Sequence, residues 1–182
     1  MTLTDVSLLA ATHPRDAAYD VILLAHVLAA AVSLGALVIA GANAWTLSRS
    51  GPGPEPIRRY YRPGVNWAGK VLFLVPVLGF TLMALSHGDW SFSEGWITVG
   101  LALWAVVAVA AEMYLWPAER RLQVAVTSLT ALAPVDGGAE GTAPVAAPVG
   151  AGLRTECLRV AVLAATLSVV LVGVAVVMVA KP

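Results

Sequence analysis

VAVLAATLSVVLVGVAVVMVA, Val160–Ala180, is 21 residues long and carries no charged side chain. A helix needs about 20 apolar residues to cross a hydrocarbon layer of roughly 30 Å, so this stretch reads as a membrane span. Working outward from it, three more segments meet the same test: about Ala18–Leu47, Val65–Ser86 and Gly95–Trp116. The first is longer than a crossing requires, and tilt or a protruding end absorbs such an excess. Hydrocarbon offers backbone groups no water, so each span must satisfy its own hydrogen bonds as a helix. The expected fold class is therefore all-α, a polytopic membrane protein with four transmembrane helices.

Composition agrees. Hydrophobic residues make up 59% of the chain and charged residues 12%, far from the balance of water-soluble domains. Eleven basic residues cancel eleven acidic ones, which leaves no basic surface for nucleic acid. The single cysteine, Cys157, excludes an intrachain disulfide and a cluster of thiolate metal ligands. Residues 1–17 have neither a basic leader nor an apolar run ending in a cleavage site. They are expected to form an extracytoplasmic segment, with the first span acting as insertion signal.

The charges inform through position. Arg49, Arg58, Arg59, Arg62 and Lys70 flank the first connection against Glu55 alone, and Arg120, Arg121, Arg154 and Arg159 flank the third. The connection Ser86–Gly95 has no basic residue but carries Asp89 and Glu94. The positive-inside rule then predicts both termini outside the cell membrane. Trp90 and Trp96 fall at the outer interface, and Trp45, Trp67 and Trp116 at the inner one. The Ala, Pro and Gly-rich stretch 123–152 reads as a flexible cytoplasmic linker, and 153–182 as the fourth helix with a short outer tail. Two alternatives stand open: Glu119–Leu132 as an extension of the third helix, and Ile57–Tyr61 as a basic interfacial helix. The four spans can also pair as two hairpins.

Few residues carry chemistry. His26 is the only histidine within a span, and small residues surround it: Ala29, Ser33, Gly35 and Gly41, a pattern that admits close helix packing. Either a neighbouring carbonyl or hydroxyl satisfies the imidazole, or it serves a haem, a metal or a proton, with His87 as a second ligand. Lys70 and Glu112 share a depth near the inner ends of the second and third spans, which predicts a structural ion pair. Pro76 cannot donate to the carbonyl around Leu72, so a kink is expected there. No phosphate loop, dinucleotide fingerprint or paired metal-ligand motif occurs, and no catalytic residue or metal site is assigned.

The first-helix run LLAHVLAAAVSLGALV, the basic loop after it, the turn GDWSFSEGW and the third-helix ending LWPAERRL resemble a family of four-helix predicted integral membrane proteins that is loosely CopD-like. The likeness covers about Tyr19–Leu122 and implies the four-helix fold. A more distant similarity to HemJ-type haem-binding oxidases implies a role for the first-helix His26 and for a membrane lysine, here Lys70. The leading functional expectation is a non-catalytic membrane subunit or association factor, for example of a respiratory oxidase, whose partners are other membrane subunits and the lipid bilayer. The alternatives are a haem-binding or redox protein using His26, and a small transporter or ion-conducting oligomer centred on Lys70, Glu112 and Pro76.

Overall fold

The computed structural model describes residues 17–52, 54–64, 66–86, 90–131 and 150–180. Among them there is no strand, and four helices are long and apolar enough to cross a membrane. We number the helices α1 (Ala17–Ser50), α2 (Glu55–Tyr60), α3 (Trp67–Leu85), α4 (Gly95–Ala131) and α5 (Ala151–Ala180). Only α2 is too short to span.

Local chemistry sets the helix ends and irregularities. Gly51 adopts φ 66°, the left-handed conformation that glycine takes without penalty, and its N–H closes α1 onto the Leu47 carbonyl at 3.0 Å. Asn66 caps α3 by accepting from the Gly69 N–H at 3.2 Å. Before Pro76, α3 tightens into a 3₁₀ turn over Val71–Phe73. The Leu72 carbonyl that the proline leaves without a donor accepts instead from the Trp104 indole of α4 at 3.1 Å. In α4 the turn widens to a π-helix over Ala111–Leu115, immediately before Pro117, whose ring would collide with the Met113 carbonyl of an unbroken α-helix.

Packing departs from the two-hairpin arrangement. The most extensive interface joins α1 to α5, the first and last spans. Ala29, Ser33, Ala36, Ala40 and Ala44 of α1 are buried, as are Cys157, Val160, Ala164, Leu167 and Ser168 of α5. These helices approach so closely that a Cβ on Gly41 would lie 3.2 Å from the Ala164 Cβ. Gly35, expected in the same stripe, does not belong there: a Cβ on it would meet nothing within 4 Å. Helix α5, whose Val and Leu content suggests a lipid-facing or partner-facing helix with only Gly173 and the Ala161, Ala165 and Ser168 edge open to close approach, is half of the central pair, and Gly41 of α1 lies against Ala161, Ala164 and Ala165. Helix α3 packs on α1 and α4 on α5, and α3 meets α4 through long side chains rather than close backbone approach.

The basic residues gather at one end of the bundle, and there the core is densest. Leu47, Ile57, Tyr61, Leu115, Leu122, Val126, Cys157 and Val160 are all buried in it. Buried Leu122 and Val126 carry α4 on to Ala131, so the expected linker boundary at 123 moves beyond that residue, while 132–149 lie outside the described residues. The fourth long helix begins at Ala151 rather than 153. The short basic helix expected around Ile57–Tyr61 forms as α2, with Ile57 and the following Tyr61 inserted in the core and Arg58 and Arg59 exposed. Toward the other end, Val21, Leu24, Val27 and Leu28 of α1 point outward, a surface compatible with lipid contact.

Candidate functional site: a polar cluster at the basic end of the bundle

Lys70 and Glu112 meet across the α3–α4 gap. The ammonium donates to Glu112 Oε1 at 2.7 Å and lies 3.8 Å from the centre of the Trp116 ring, with the Phe73 ring further off at 5.8 Å. The cation therefore has a carboxylate as counter-ion and an aromatic face as second support. Gly69 makes room for that ring, since a Cβ there would sit 3.1 Å from Trp116 Nε1. The pair is partly open: its side chains are 30% and 44% exposed, and Trp67, one turn before Lys70, is 75% exposed.

Beneath the pair lies a network that sequence reasoning missed. Glu119 is only 4% exposed, and it accepts from the Tyr60 hydroxyl at 2.6 Å and from Asn66 Nδ2 at 3.5 Å. Asn66 thus works twice, with its oxygen capping α3 and its amide reaching the Glu119 carboxylate. Glu119 follows Glu112 by seven positions, with the π-helical turn over Ala111–Leu115 between them. Nothing local in the run AERRL marks it for burial. Tyr61 packs edge-on against Tyr60 at 5.0 Å, and its buried hydroxyl has no hydrogen-bond partner among the described residues. The network ties α2, the start of α3 and α4 into one unit.

Burial pushes the Tyr60 phenol above its ordinary range, and the adjacent Glu119 charge pushes in the same direction. Burial also raises Tyr61, with smaller effects from Cys157 and Glu119. A raised folded-state value favours the neutral phenol, so the contribution of both residues to stability is complete below about pH 10 and is lost as the pH rises beyond it. At about pH 11, folded wild-type protein and a Tyr60→Phe/Tyr61→Phe variant should show equal phenolate absorbance, and only denaturation should separate them by two tyrosines. A difference already present in the folded proteins contradicts the burial described here.

His26 stands elsewhere, nearer the opposite end. Its Nδ1 lies 2.9 Å from the Val75 carbonyl, an acceptor, which fixes the proton on Nδ1. The ring edge rests on α3, where a Cβ at Gly79 would be 3.4 Å from His26 Cε1. One of the two ring nitrogens is thus held by a backbone carbonyl. His87 lies outside the described residues, so the His26–His87 pair has no geometry to report. Among the described residues no three His, Cys, Asp or Glu side chains are grouped to hold a metal ion.

Against protein-family models, curated proteins and solved structures, the chain shows no match.

Proposed function

We propose that the chain is a non-catalytic subunit or association factor of a larger cell-membrane assembly, with its basic end at the cytoplasmic face and both termini outside. The observation that carries this reading is the partial exposure of the Lys70–Glu112 pair within the apolar helices α3 and α4. Charges at membrane depth that are not enclosed by their own bundle are costly against lipid, and a protein partner covers them at lower cost. Trp67 beside them is the kind of exposed aromatic anchor that dominates protein interfaces. The small-residue stripe of α1 does not enter this reading, because α5 already occupies it.

Purification in a mild detergent followed by mass analysis tests the proposal. Stoichiometric partner subunits are expected with the wild-type chain, and Trp67→Ala should release them while leaving the helical content intact. A solitary monomer, or partners that survive Trp67→Ala and Glu112→Gln together, would count against it.

A further inference from the structure

On the other flank of α4 a groove of about 800 Å³ runs between α4 and α5. Its lining includes the apolar Met113 of α4 and Val162 and Leu163 of α5, and its mouth at the basic end carries Arg121, Arg159 and Glu156. Along α5 the lining runs from Thr155 to Thr166, a rise of about 16 Å, close to the thickness of one bilayer leaflet. The groove is therefore polar at one end, apolar at the other and one leaflet deep. The polar mouth and apolar wall together suit an amphiphile with one head and aliphatic chains.

The charge at the mouth specifies the head. Glu156 accepts from Arg159 Nη1 at 2.9 Å, which leaves the remaining N–H groups of that guanidinium to donate elsewhere. Arg121 has no ion pair among the described residues. Two guanidinium groups against one carboxylate give the mouth an excess of positive charge, and guanidinium forks match phosphate oxygens in geometry. We infer that the groove between α4 and α5 binds an anionic phospholipid of the leaflet at the basic end, with its phosphate between Arg121 and Arg159 and an acyl chain along Met113, Val162 and Leu163. This site is independent of the partner face on the α3 side and does not need a protein partner.

Native mass spectrometry of the full chain in detergent, with equal amounts of dioleoyl phosphatidylglycerol and dioleoyl phosphatidylcholine, tests the site. The wild type should retain the anionic lipid about tenfold over the zwitterionic one. Arg121→Gln/Arg159→Gln should bring the ratio close to one. Arg59→Gln/Arg62→Gln, which removes the same charge from the same end away from the groove, should leave it unchanged. Leu163→Trp, which fills the apolar wall, should lower retention of both lipids. Glycerol phosphate, which has the head without the chains, should not displace the bound lipid. No preference in the wild type, a preference that survives the groove variant, or an equal loss in the Arg59/Arg62 control would overturn the site. Displacement by glycerol phosphate would do the same, because it would mark a free-phosphate site. If the groove variant does not fold, the wild-type preference and the glycerol phosphate competition still decide.

Discussion

Lys70→Met is expected to destabilise the bundle by about 2 kcal/mol, measured by SDS titration followed by circular dichroism. The substitution removes the 2.7 Å counter-ion of Glu112 and the cation above the Trp116 ring in one step. What remains is a carboxylate on the π-helical turn of α4 with no cation, at a depth where lipid gives it little solvation. Most of the loss comes from that orphaned charge rather than from the value of the pair itself. It follows that Lys70→Met/Glu112→Leu should be close to wild type, and that the reversed pair Lys70→Glu/Glu112→Lys should recover most of the stability. A Lys70→Met protein as stable as wild type would show that the pair is solvated well enough to stand apart, and would remove the argument for a covering partner.

The second large effect concerns the contact between the first and last spans. Gly41→Leu should cost about 3 kcal/mol or abolish folding, since even a Cβ would come within 3.2 Å of Ala164 on the neighbouring helix. Backbone-to-backbone proximity leaves no flexible side chain to yield, so α1 and α5 must move apart and lose contacts along the interface. Gly35→Leu, six residues away in open space, should fall within about 0.5 kcal/mol of wild type. Ala164→Leu should resemble Gly41→Leu, and the double variant should cost less than the sum because the second insertion enters an interface already parted. Equal effects at positions 35 and 41 would show that α1 does not meet α5 along this face.

The four spans were legible because twenty apolar residues in a row admit one interpretation. The shared depth of Lys70 and Glu112 was legible as well, because both lie a few residues from the same end of consecutive spans, and the structure brings them to 2.7 Å. Pro76 announced a carbonyl without a donor, but nothing local named Trp104, 32 positions from Leu72, as its new partner. The order in which helices pack was hidden for a related reason. In a chain where every face is apolar, hydrophobicity does not mark the buried side, and only small residues at steps of three and four do, as at Ala29, Ser33, Ala36, Ala40 and Ala44. Gly35 is small but off that stride. The same stride runs through Cys157, Ala161, Ala164 and Ser168 of α5, yet the Val and Leu content obscured it. Glu119, within the run AERRL, reads as one more solvated charge at a helix end. Its burial depends on Tyr60 and Asn66, which are more than fifty residues distant.

The claim on which everything else depends is that α1, α3, α4 and α5 cross a membrane and place the arginine-bearing end in the cytoplasm. Single cysteines at Ser91 and Ser50, in a Cys157→Ser background, report on opposite ends of the bundle. A membrane-impermeant maleimide applied to intact cells should label Ser91→Cys at once and Ser50→Cys only after the membrane is opened. Labelling of both positions in intact cells, or of Ser50→Cys alone, would contradict it.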